Sequence, residues 1–208
     1  MPNLLKEKNG SKLILNLQNE ILKIFSDSSA LISDSSILSK EIENSVNIIV
    51  KSLSKGNKLL ILGNGGSAAD AQHIASEFIG RFQKNRSSFP AISLSTDSSI
   101  LTSISNDYNF DQIFKRQLEG LLNSGDVVLV LSTSGNSINI INALKFAQKK
   151  NVAIIGLLGN KGGKIKKFTD ISLVVNSSST ARIQEVHRII YHIICEIAEK
   201  KLAGIIKN

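Results

Sequence analysis

The sequence predicts an α/β fold, a three-layer sandwich in which a five-stranded parallel sheet lies between helices, with further helices at the N-terminus. Five short, predominantly apolar runs occupy residues 58–62, 91–94, 127–131, 152–157 and 171–175. Strands that read as unbroken hydrophobic runs are buried on both faces, as parallel strands covered by helices are. Longer stretches of helical periodicity alternate with these runs, which is the punctuation of βαβ units. The length of 208 residues, at about 100–200 residues per domain, predicts a single domain spanning 1–208, with N-terminal helices in 1–56 and the α/β core in 57–208.

The elements follow in order. From residue 11 to 25 the apolar residues Leu13, Leu15, Leu17, Ile21, Leu22, Ile24 and Phe25 fit a helical period, and residues 39–53 repeat the pattern. Ser and Asp side chains compete for backbone hydrogens outside helices, so Ser26-Asp27-Ser28-Ser29 and Ser33-Asp34-Ser35-Ser36 predict a polar hinge between the two helices. Among the strands, helices are expected over 68–82, over 100–122 with a break near Asn106-Asp107, over 138–149, briefly over 164–168, and over 181–202. Ligands of such sheets bind outside the carboxyl ends of the strands, so the loops there are the first place to look for chemistry.

Composition removes several classes. With 42% hydrophobic and 20% charged residues the chain is globular in type. Its apolar runs fall short of the ~18 residues a membrane span needs, and no secretory apolar region follows Met1, so a soluble, cytoplasmic protein with no membrane partner is expected. The one cysteine, Cys195, excludes an internal disulfide and a multi-cysteine metal site. The net charge of +8 is spread over small groups such as Lys149-Lys150 and Lys200-Lys201, without a basic stripe or interleaved aromatics, so no nucleic-acid partner is expected.

Two βα loops share a construction. Gly63-Asn64-Gly65-Gly66-Ser67 follows the first apolar run, and Ser132-Thr133-Ser134-Gly135-Asn136-Ser137 follows the third. Glycines admit close backbone approach, hydroxyls donate to anionic oxygens, and free N–H groups at a helix start favour negative charge. Two such loops at equivalent junctions point to a phosphate or a polyhydroxylated ligand. The glycine fingerprints of dinucleotide and nucleotide-phosphate sites are absent. His73 and Glu77, four apart, share one face of the helix after the first loop, where they suit a shared metal or a general base. On the last helix His192 lies about 80° from Gln184 and His187 about 60° from it on the other side. Periodicity does not choose between these two histidines.

Gly63-Asn64-Gly65-Gly66-Ser67-Ala68-Ala69-Asp70-Ala71-Gln72-His73, continuing to Glu77 and Gly80-Arg81-Phe82, resembles the first signature of the phosphoheptose isomerases of the sugar isomerase (SIS) superfamily. Asn106-Asp107-Tyr108, residues 132–137 and Ala181-Arg182-Ile183-Gln184-Glu185-Val186-His187 are similar to the family's other segments, in the family's order, over residues 12–202. The resemblance implies a flavodoxin-like SIS fold and an aldose–ketose isomerase converting sedoheptulose 7-phosphate to D-glycero-D-manno-heptose 7-phosphate, the first step toward the heptose of lipopolysaccharide or related glycans. It also implies one zinc per subunit and a cytoplasmic homotetramer. By the same resemblance, His73, Glu77, Gln184 and His192 match zinc ligands, and Glu77 and His192 match the catalytic acid/base pair. Asn64, Gly65, Gly66, Glu77, Asn106, Asp107, Ser132, Thr133, Ser134, Ser137 and Gln184 match substrate-contacting positions. It selects His192 over His187. Ala181 departs from members that carry Asp before the Arg-Ile-Gln segment. The alternatives are a non-catalytic SIS-fold protein that binds a protein partner in regulating replication initiation, or an isomerase of another sugar phosphate.

Overall fold

The computed structural model describes residues 4–204, with side chains from residue 16 onward. Its elements run α1 Leu4–Asp34, a 3-10 turn Ser35–Leu38, α2 Ser39–Leu53, β1 Leu59–Gly63, α3 Gly66–Ile79, β2 Ala91–Ser93 and α4 Ser98–Asp107. There follow α5 Ile113–Leu121, β3 Val127–Ser132, α6 Ile138–Ala147, β4 Ala153–Leu158, β5 Ile171–Val174 and α7 Thr180–Leu202, with 3-10 turns at Phe110–Gln112 and Lys166–Phe168.

The five strands pair in the order β2-β1-β3-β4-β5, all parallel, with Leu59 aligned to Ala91 on one side and to Val127 on the other. Successive side chains leave opposite faces of the sheet. Leu59, Ile61, Val127, Leu129 and Leu131 pack under α2, α3 and α7, whereas Leu60, Leu62, Val128 and Val130 pack under α5 and α6. Each of these strand residues is at most 1% exposed, and a fully buried side chain of this kind stabilises the fold by about 1.5–3 kcal/mol. The three expected layers are therefore present. The chain leaves β1 toward β2 and returns across the sheet to β3, so the reversal of order falls between β1 and β3, where ligands of such sheets collect.

The polar hinge expected at Ser26–Ser29 is not a hinge. The helix α1 continues through it to Asp34, and only Ser35–Leu38 tightens into a 3-10 turn. The hydroxyls turn inward along the helix instead of competing with it: Ser28 Oγ donates to the Ile24 carbonyl at 2.8 Å and Ser35 Oγ to the Leu31 carbonyl at 2.7 Å. Lys23 and Asp27 add an ion pair one turn apart. The expected apolar stripe is described from Leu17 onward, Leu13 and Leu15 lying outside the described side chains. Leu17, Ile21, Leu22, Ile24 and Phe25 are exposed, Phe25 at 70%. Among the described residues no helix is long and apolar enough to cross a membrane.

Candidate active site

The first loop turns on Gly65, whose φ of +58° suits a residue without Cβ. Gly66 opens α3 with the Gln184 side chain of α7 so close that a Cβ there would overlap its amide. Asn64 is fixed by Asn139 of α6, the two amides exchanging bonds of 3.0 and 2.9 Å. Asn139 is buried and carries no sequence signature, so only the fold reveals it.

The second loop is shaped from behind. Ser132 Oγ accepts from the Gly135 N–H at 3.1 Å and Ser134 Oγ from the Asn136 N–H at 3.2 Å. Residues 159–165 then zip onto it: Gly159 N–H donates to the Ser132 carbonyl, Asn160 Nδ2 to the Thr133 carbonyl, Lys164 N–H to Asn136 Oδ1 and Ile165 N–H to the Gly135 carbonyl. Gly135 at φ +65° and Gly163 at φ +55° lie so close that a Cβ on either would run into the other loop's backbone. Ser137 stands at the N-cap of α6 without spending its side chain on a capping bond.

Between the loops, at the switch point, is a cavity of about 250 Å³ lined by Asn64 to Ser67, Leu131 to Ser134, Ser137, Thr180 and Gln184. Hydroxyls, amides and the free N–H groups of two helix starts converge there, a surface suited to a phosphate. Thr180 lines it in the stretch where the sequence departs at Ala181, which is exposed. Asn106 and Asp107 are not brought to this cavity. They end α4, bonded to each other at 3.0 Å, and Asp107 lines a separate groove with Tyr108 and Arg116.

From the cavity, α3 and α7 run side by side at a nearly constant offset in sequence. Gln184 meets Gly66. Asp70, buried, accepts from Arg188 Nη2 at 3.0 Å and from the Tyr191 hydroxyl at 3.2 Å. His192 Nε2 lies 3.4 Å from His73 Nε2, whose ring nitrogen is 3.0 Å from Glu77 Oε1. Asp70, Arg188 and Tyr191 were missed by the pattern of the sequence. A lone acidic residue between Ala69 and Ala71 on an apolar helix is the signal that was available.

This register separates the two histidines. His187 points into the core, fully buried, and burial lowers its pKa to about 4 against the weaker opposing pull of the Leu158 backbone and Asp70. It is a neutral packing residue. His192 is partly exposed beside Phe82 and Tyr191. Burial and the adjacent His73 hold its pKa below the usual imidazole range, against the opposing pull of Glu77. A neutral His192 keeps a lone pair for a proton or a metal at neutral pH.

Among the described residues no three His, Cys, Asp or Glu side chains form a ready metal cage. The donors nevertheless suit one cation. Two imidazole nitrogens 3.4 Å apart match the edge of a tetrahedron whose metal–nitrogen bonds are about 2.0–2.1 Å. The carboxylate of Glu77 adds a third donor of suitable hardness.

The profile of the SIS domain family matches residues 25–159. A phosphoheptose isomerase of Pelobacter propionicus is 56% identical over 154 residues, covering 74% of this chain and 82% of that protein. One of Sulfurimonas denitrificans is 47% identical over 189 residues, covering 90% of this chain and 96% of that protein. The solved phosphoheptose isomerase of Neisseria gonorrhoeae superposes with a TM-score of 0.84 at 38% identity, covering 88% of this chain and 99% of that one.

Proposed function

The chain belongs to the SIS domain family and, within it, to the phosphoheptose isomerases, and from that membership we propose that it interconverts sedoheptulose 7-phosphate and D-glycero-D-manno-heptose 7-phosphate. The product feeds heptose biosynthesis, for lipopolysaccharide or related glycans. The observation that carries the reading is the meeting of Glu77, His73 and His192 across the α3–α7 seam, on the same two helices whose starts line a hydroxyl-rich cavity.

The cavity takes the phosphate, with Ser132, Thr133, Ser134 and Ser137 as donors and the α6 start supplying N–H groups. Asn64, held by Asn139, and Gln184 face the sugar. Moving the carbonyl from C2 to C1 requires removing a proton from C1, passing through an enediol, and returning a proton to C2. Glu77 carries that proton as its carboxylate. His192 moves a proton between the two oxygens, which its neutral state allows. His73, Glu77, Gln184 and His192 would hold zinc, which when bound supplies Lewis-acid polarisation of the substrate carbonyl. Asn106 and Asp107, on their separate groove, are proposed to reach the substrate from outside the phosphate cavity. A purely protein-binding SIS relative has no chemical need for the carboxylate and the two imidazoles together.

Purified protein assayed against ketose phosphates of five to seven carbons should turn over the heptulose phosphate best. Preference for a shorter ketose phosphate would reassign the substrate. The exposed stripe of α1, continuous through Leu22 and Phe25, is larger than a lone chain normally leaves in water, which supports self-association; the form proposed is a cytoplasmic homotetramer. Zinc analysis and light scattering on one chelator-free preparation should give about one zinc per chain and a tetramer's mass. Full activity with less than a tenth of an equivalent of zinc removes the metal, and a micromolar monomer removes the oligomer.

A further inference from the structure

Beyond His192 the α3–α7 seam closes on a buried ion pair. Glu199 of α7, its side chain 3% exposed, faces Arg86 of the α3–β2 connection, 7% exposed, with Arg86 Nε 3.0 Å from Glu199 Oε1. The same carboxylate accepts from the backbone N–H groups of Phe82, Gln83 and Lys84 at 3.0, 2.8 and 3.0 Å. Burial would raise the pKa of this carboxyl, but those N–H groups and the guanidinium outweigh it and hold it below the ordinary range. Glu199 is thus anionic and fully engaged.

Apart from a bond from Nη1 to the neighbouring Ser87 carbonyl at 3.0 Å, Arg86 spends its other N–H groups on the end of α3. Nη2 donates to the carbonyl of Glu77 at 2.8 Å, and Nη1 to those of Phe78 at 2.8 Å and Gly80 at 3.0 Å. These are among the carbonyls that a helix end leaves without intrahelical partners, and a cation there also meets the negative end of the helix dipole. The guanidinium lies 4.3 Å from the centroid of the Phe89 ring, which covers it. Glu199 follows His192 by seven residues, two helical turns, so both are on the same face of α7. Phe82, whose N–H is held by Glu199, has its ring 5.8 Å from the His192 ring.

One ion pair therefore grips the backbone carbonyl of Glu77 with one hand and the helix of His192 with the other. We propose that Arg86 and Glu199 are a positioning pair, setting Glu77 against His192 for proton transfer without touching the substrate. The inference rests on the isomerase reading. A guanidinium is required, because the point charge of lysine cannot fork to three carbonyls and a carboxylate at once. A carboxylate is required, because a glutamine turns a donor toward groups that are all donors.

The test compares wild type, Glu199→Gln, Arg86→Lys and the double variant, with Lys58→Met as control. Lys58 pairs with buried Asp126 at the opposite, amino end of the strands, 2.7 Å apart, so its loss should cost thermal stability and leave kcat alone. Each positioning variant should lose at least about tenfold in kcat with KM changed less than about threefold. The double should be no worse than the poorer single, as expected of residues that act as one unit. Near-wild-type kcat in either single variant that folds overturns the proposal, as does an equal kcat loss in Lys58→Met at a matched melting temperature. A second measurement does not need turnover: with carbon-13-labelled histidine, the ring resonances of His73 and His192 should move in both single variants and stay in Lys58→Met. Unmoved resonances overturn the proposal. A wild type inactive on the heptulose phosphate instead overturns the isomerase reading, and the resonances still decide the pair.

Discussion

Replacing Glu77 by Gln should lower kcat at least a hundredfold. Positioned acid–base groups contribute about 10²–10⁴-fold, and the carboxylate is the base assigned to the C1 proton. The substitution is mild in every other respect. The amide oxygen can still accept from His73, now at 3.0 Å, and the Arg86 bond is to the backbone carbonyl of residue 77, which the variant keeps. KM should move little, because the cavity lined by Ser132 to Ser134 does not include Glu77. Steady-state kinetics with zinc content measured on the same sample separates loss of base from loss of metal. Turnover near the wild-type rate with zinc retained would remove Glu77 from the proton transfer.

Gly135→Ala should raise KM for the sugar phosphate at least tenfold and lower the melting temperature by several degrees. The backbone at φ +65° costs a residue with a Cβ about 1–2 kcal/mol. The new methyl would also run into the Gly162 carbonyl, so the phosphate loop must separate from the loop that shapes it. A tenfold loss of affinity corresponds to about 1.4 kcal/mol, less than one charge-assisted hydrogen bond to a phosphate. Gly120→Ala is the contrast. It lies in α5 with nothing within 4 Å of the added carbon, and should raise the melting temperature slightly. A Gly135→Ala protein with unchanged KM would place the phosphate away from this loop.

The sheet was legible because Val127 to Leu131 is apolar at every position and the other four runs carry at most one residue such as Lys58, Ser93 or Ser172 that interrupts them, a density that suits strands covered on both faces. The loops were legible because one glycine- and serine-rich construction recurs at two equivalent βα junctions, where either loop alone could simply cap a helix or turn the chain, and the two do line one cavity. The break near Asn106-Asp107 was also visible, and the chain does leave its helix at Asp107. The Ser/Asp segments misled because a hydroxyl can bond the carbonyl four residues back as readily as it can cap, and sequence does not show which bond it takes. The histidines of the last helix were ambiguous since a wheel gives angles but not the direction of the core. Packing supplies it, burying His187 and leaving His192 at the seam. Asp70 with Arg188, Asn64 with Asn139 and Arg86 with Glu199 join residues 75 to 118 positions apart. No local pattern encodes such pairs.

In the proposed reaction Glu77 and His192 move protons, not hydride, between C1 and C2 of a ketose phosphate. Running the wild-type reaction to equilibrium in deuterium oxide and reading both sugars by mass spectrometry and proton resonance tests it most directly. Deuterium should be fixed at C2 of the aldose and at C1 of the ketose, because a proton held by Glu77, whose side chain is 19% exposed, exchanges with solvent during repeated passages. Sugars that reach equilibrium while keeping only protium at both carbons would mean direct transfer between them, and would contradict it.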